Sequence, residues 1–168
     1  MNNELISEIA NLALTFSFVV AVIFGITQSR AASRNSKERF TLETLRNFQT
    51  RGFAELMFYM NSNELPVDRK GMEALPKDEQ VFILQFSQQM ESLGILVAEK
   101  LVDIDLVDKT LGVFVIKTWE KYRQMFLNMR KNNPDPFLGE YFQWLAENIE
   151  ERMKKKPREP FYNHDMVK

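Results

Sequence analysis

From Ile9 to Ile26 the chain runs eighteen residues without a charge. Apolar side chains fall on every side of a helical projection there, rather than along one stripe, as contact with lipid requires. A helix of that length measures about 27 Å, close to the roughly 30 Å hydrocarbon layer of a bilayer. Asn11, Thr15 and Ser17 are the strongly polar interruptions, and hydroxyls can bond back to their own helix backbone. The pattern predicts a transmembrane helix over about residues 9–27, inside an N-terminal segment 1–28. Two other readings compete with it. A cleaved export signal wants positive charge before the apolar run, but the charge follows it, and Ser29-Arg30-Ala31 only weakly imitates a cleavage site. A soluble core helix would have no amphipathic face to separate core from water.

Beyond residue 36 the pattern changes to a persistent period near 3.6. Leu42, Leu45, Phe48, Phe53, Leu56, Met57 and Met60 form one stripe, which ends at Asn61-Ser62-Asn63 and Leu65-Pro66. The stretch "ELPVDRKGMEALP" reads as a linker punctuated by Pro66, Gly71 and Pro76. A second helix is expected from Pro76 on Phe82, Phe86, Met90, Leu93, Val97 and Leu101. A third, capped by Asp103 or Asp105, is expected on Leu111, Val115, Trp119, Tyr122, Phe126 and Met129. A fourth is expected to open at the cap Asp135 with Pro136 in first position and to run through Phe137, Tyr141, Trp144, Leu145 and Ile149. Pro157 and Pro160 forbid regular helix afterwards. The expected fold is all-α: one N-terminal transmembrane helix, an antiparallel bundle of about four helices over 29–156, and a flexible tail over 157–168.

Composition narrows the chemistry. The chain has no Cys, which excludes disulfides, thiolate metal sites and cysteine nucleophiles. A formal net charge of −1 gives no drive toward nucleic acid. The aromatics Trp119, Tyr122, Tyr141, Phe142 and Trp144 lie at core spacing without a basic groove. The sole histidine, His164, sits in the Pro-flanked tail, where nothing would hold it for catalysis or metal binding. Asp103, Asp105 and Asp108 lack the ligand spacing of a calcium loop and read as capping acids. Glu147, Glu150 and Glu151 lack a Glu-x-x-His partner and read as a solvated face. Gly94 and Gly112 fall mid-helix and suggest close helix packing. No catalytic residue, metal site or cofactor is expected.

Charge also orients the chain. No Lys or Arg precedes Arg30, whereas Arg30, Arg34, Lys37 and Arg39 follow the span. The positive-inside rule puts the N-terminus outside and the helical domain in the cytoplasm, as for an inner-membrane protein. Counting helix directions from the bilayer brings the end of the fourth helix back to the membrane surface. Arg152, Lys154, Lys155, Lys156 and Arg158 are therefore candidate contacts for anionic lipid.

The stretch "MESLGILVAEKLVDIDLVDKTLGVFVIKTW", with Arg130 and "YFQWLAE", resembles a bacterial family of small membrane proteins with one N-terminal span and a helical domain of unknown function. The resemblance implies the anchor and the all-α domain and brings no assigned activity. The sequence points first to a membrane-anchored, non-enzymatic interaction module whose partners are membrane lipid and either another protein or a second copy. The alternatives are an enzyme or ligand-binding sensor with a polar site in the bundle, with Arg123 or Arg130 facing a buried acidic pair, and an oligomeric pore or membrane effector.

Overall fold

A computed structural model describes residues 2–132 and 136–159, so the expectations placed on Asp135 and His164 lie outside the described residues. The described residues form six α-helices: α1 (Asn2–Arg46), α2 (Arg51–Ser62), α3 (Arg69–Ala74), α4 (Lys77–Ala98), α5 (Ile104–Asn132) and α6 (Glu140–Lys155). Among the described residues there is no strand. The chain divides into two compact units, residues 1–39 and residues 40–168.

Helix α1 continues through residue 28 without a break and supplies the first turns of the second unit. It ends in a single 3-10 turn at Asn47–Gln49, followed by Thr50 in extended geometry. The Thr50 hydroxyl donates to the Asn47 carbonyl at 3.1 Å and accepts from Phe53 N at 3.2 Å. It thus closes one helix and opens the next, so the expected first stripe is shared by two helices. This rotates the face: Leu45, Phe53, Leu56 and Met60 are buried, while Leu42 is 55% exposed and Thr41 and Thr44 turn inward instead. Thr41 Oγ1 accepts from Asp103 N at 3.0 Å, tying α1 to the α4–α5 loop.

The linker holds an additional short helix, α3, whose N-terminal Asp68 accepts from Gly71 N at 2.8 Å. The end of α2 is fixed from α5. Lys121 Nζ donates to the carbonyls of Met60, Asn61 and Asn63 at 2.8, 3.2 and 2.7 Å, and Tyr122 Oη donates to Met60 O at 2.7 Å. These four bonds satisfy carbonyls that a helix end leaves without partners.

Helix α6 packs against both α4 and α5. It begins at Glu140 rather than at Pro136, after a left-handed Gly139 with φ 71°. A side chain there would strike the Phe126 ring. Its free N–H groups are met by Glu91 of α4, whose carboxylate accepts from Tyr141 N at 3.3 Å and Phe142 N at 2.9 Å. Phe137, expected in the apolar stripe, is 63% exposed, and Phe142 is buried in its place. The Phe142 ring lies 5.9 Å from Phe86 and 5.3 Å from Trp119. Phe86, Trp119, Tyr122 and Phe142 form the aromatic centre of the second unit. Gly94 lets α6 close on α4, because a Cβ there would overlap the Tyr141 carbonyl group.

Candidate functional site

Among the described residues of the second unit, clefts open along α4. The first, of about 490 Å³, lies between α4 and the turn that joins α1 to α2. Asn47 and Thr50 line one wall, and Gln85, Gln88, Gln89 and Ser92 the other, above Phe48, Leu93 and Leu96. No lining side chain ionises. Gln89 Oε1 is buried and makes no hydrogen bond. The cleft therefore offers neutral donors and acceptors over an apolar floor: groups that recognise a ligand but provide no acid–base pair to react with one.

The second cleft, of about 450 Å³, lies where α2 crosses the start of α4 and is lined by Arg51, Ala54, Glu55, Phe58, Tyr59 and Phe82. Arg51 and Glu55 pair with each other at 2.8 Å, so its rim carries no net charge. Tyr59 Oη donates to Glu79 Oε2 at 2.6 Å. Burial, first, and the Glu79 carboxylate, second, push the Tyr59 pKa up to about 12. The phenol therefore stays neutral and serves as a donor. Tyr122 is raised further, chiefly by burial.

Among the residues expected at the membrane surface, four of five have acidic partners. Arg152 pairs with Asp105, and Arg158 stands 3.7 Å from the largely buried Asp108. Lys154 pairs with Glu150 at 2.5 Å and Lys155 with Glu151 at 2.6 Å. The Lys155 hydrogen bond, with its charge, holds Glu151 below the usual carboxylate range. Lys156 is exposed at the end of α6. The capping acids divide their work: Asp103 Oδ1 accepts from Asp105 N at 2.8 Å, while Asp105 and Asp108 face the basic end of α6.

Among the described residues Arg130 pairs with no carboxylate: its Nε donates to Leu138 O and its Nη1 to Gln143 Oε1, both at 2.7 Å. Arg123 is exposed. Among the described residues no cluster of His, Asp and Glu is arranged to hold a metal ion. Sequence reading passed over Gln85, Gln88 and Gln89 because they fall off the apolar stripe. The available signal was the run Gln80–Ala98, which carries a single charge, Glu91.

These features define a helical protein with an apolar N-terminal helix, one cleft lined by neutral side chains and one whose Arg51 and Glu55 pair with each other. The chain belongs to the family described as a domain of unknown function (DUF4760), which it matches over residues 15–149. No curated protein and no solved structure matches it.

Proposed function

We propose that the protein is a single-pass protein of a bacterial inner membrane, with its N-terminus outside. In this reading residues 29–156 form an antiparallel bundle of about four helices in the cytoplasm, a non-enzymatic module that holds a protein partner or a second copy at the membrane face. The observation that carries it is the surface of α1. Leu14, Phe16, Phe18, Val19, Val20, Val22, Ile23, Phe24 and Ile26 are all exposed, from 43% to 71%. Burying a large apolar side chain contributes about 1.5–3 kcal/mol. Leaving nine such groups in water forgoes on the order of 10 kcal/mol, comparable with the whole stability of a domain. Lipid removes that cost. The four basic residues that follow support the orientation, and α6 brings Lys154, Lys155 and Lys156 to one helix end for anionic lipid.

Alkaline carbonate should leave the full chain in the membrane pellet, and protease added outside intact cells should spare the helical unit. Recovery in the soluble fraction, or cleavage of that unit from outside, refutes the assignment. A second reading, a sensor of a neutral small molecule, is favoured by the amide-lined cleft and the unpartnered Gln89 Oε1. It predicts a ligand-dependent rise in Tm that Gln89→Leu abolishes.

A further inference from the structure

The outward face of α4 has an unusual composition. In Gln80–Ala98 the single charged side chain is Glu91, and its carboxylate is turned to the N-terminus of α6. At 100° per residue, Val81, Leu84, Gln85, Gln88, Ser92 and Ile95 fall in a sector about 100° wide. All six are exposed, Val81 by 49%, Leu84 by 56% and Ile95 by 39%. The opposite face carries Ile83, Phe86, Met90, Leu93 and Val97 into the core. The result is an uncharged, partly apolar stripe about 21 Å long on a chain in which 27% of residues are charged.

This stripe is symmetric about Gln88. Seven residues to either side stand Val81 and Ile95, and four residues to either side Leu84 and Ser92. Eleven residues to either side stand Lys77 and Glu99, both exposed. Neither has an ion-pair partner among the described residues, and each sits against its own helix dipole, the cation at the N-terminus and the anion at the C-terminus. Turning a second copy about a two-fold axis through Gln88 removes both faults. Val81 then meets the other copy's Ile95, the two Gln88 amides donate and accept reciprocally, and Lys77 faces the other copy's Glu99 at both ends.

We infer that the chain forms an antiparallel homodimer through α4, with its two-fold axis at Gln88. The inference rests on the interaction-module reading and names the partner as a second copy. A self-complementary surface of this kind is what an isologous contact requires.

The absence of native cysteine makes the test direct. Full-length Gln88→Cys, purified in mild detergent, should link to itself with a short bifunctional maleimide. Val81→Cys alone should not, because the two copies of residue 81 lie about 21 Å apart along the axis. Val81→Cys mixed with Ile95→Cys should give a heterolinked pair. Light scattering should show a dimer that Leu84→Arg weakens more than about tenfold without altering the circular dichroism. Lys77→Glu should weaken it about two- to fivefold, and Glu99→Lys added to it should restore it. A monomeric mass, linking of Val81→Cys to itself, or linking no better at position 88 than at the exposed α5 control Val113→Cys overturns the proposal. Carbonate extraction of the same variants separates the two readings. A monomer in the pellet refutes the dimer and leaves the membrane module standing, whereas soluble protein refutes the module.

Discussion

Helices α1 and α4 both have the length and hydropathy of a membrane span, yet their side chains are disposed in opposite ways. The most apolar eighteen-residue window within Leu14–Gln49 has a mean hydropathy of 1.4 and none of it is buried, and that of α4 has 1.2 with 33% buried. Along the described part of the charge-free run of α1, Leu14–Ile26, the apolar residues point in every direction and are exposed. In α4 they divide into an inward face that meets Phe114, Tyr122 and Phe142 and an outward face without charge. Mean hydropathy measures how apolar a helix is. Its distribution around the axis decides whether the solvent for that surface is lipid, core or another protein.

The sharpest way to break the comparison is to remove an inward group from α4. Phe86 is fully buried, so Phe86→Ala should cost about 3–5 kcal/mol, the usual range for aromatic truncation in a core. Trp119→Ala, 6% exposed against Phe126 and Phe142, should cost a similar amount. Melting of the helical unit should fall by more than about 10 °C in both, while membrane retention stays unchanged. A helical unit that melts normally without Phe86 would show that α4 is not a core helix.

The reverse test places a charge on each helix. Val20→Arg puts a cation mid-span in α1, which should disfavour insertion by about 2.5–3.5 kcal/mol and shift protein from the carbonate pellet to the supernatant. Leu84→Arg, on the outward face of α4, should leave the pellet fraction unchanged. Equal losses from the membrane would mean that α4, too, lies in lipid.

Both helices were legible in the sequence, though for different reasons. The charge-free run announced α1, and the spacing Phe86, Met90, Leu93, Val97 announced the inward face of α4. The same spacing gave Val115, Trp119, Tyr122 and Phe126 in α5. What the pattern missed was decided by tertiary contacts. The N-terminus of α6 falls at Glu140 because Glu91, some fifty residues earlier, supplies the cap. Helix α3 has only six residues, too few for a period to register, and depends on Asp68. The break at Asn47–Thr50, which forms one wall of the amide-lined cleft, rests on one threonine among ordinary helix formers. The outward stripe of α4 stayed hidden because hydrophobic periodicity finds the face that is buried and says little about an uncharged face that is not.

A smaller contrast lies in the glycines of the two helices. A Cβ at Gly25 of α1 would meet nothing within 4 Å, whereas at Gly94 it would collide with the backbone of Tyr141. Backbone atoms cannot rotate away, so Gly94→Ala should overpack the α4–α6 contact at about 1–3 kcal/mol. Up to about 1 kcal/mol is regained from the better helix propensity of alanine. Thermal melts should show a net loss for Gly94→Ala and none for Gly25→Ala. A stabilised Gly94→Ala would mean that α6 can move off α4 freely.

The smallest expected effect is a pH dependence confined to one side of the comparison. The uncharged run of α1 holds nothing that titrates, but α4 begins with Glu79 bonded to Tyr59 of α2, beside the ring contact of Tyr59 with Phe82 at 5.3 Å. Burial and then Glu79 raise the Tyr59 pKa from 10.0 to about 12 in the folded protein. Below pH 10 the phenol is protonated in both folded and unfolded chains, and its contribution is fully present. Between pH 10 and about 12 the unfolded chain releases the proton while the folded one retains it, so stability falls as pH rises. Tyr122, shifted upward as well, extends the loss to still higher pH. Solvent around the half-buried Tyr59 keeps its share modest. Thermal melts across this window should therefore be steeper for the native chain than for Tyr59→Phe. Glu79→Gln should recover only part of the difference, because burial is the larger cause. Membrane retention should not follow the same curve: alkaline carbonate should loosen the α2–α4 contact, while the uncharged run of α1 should stay in the bilayer. A pellet fraction that fell in step with the melting temperature over pH 10–12 would show that the helical unit, rather than α1 alone, holds the protein to the membrane.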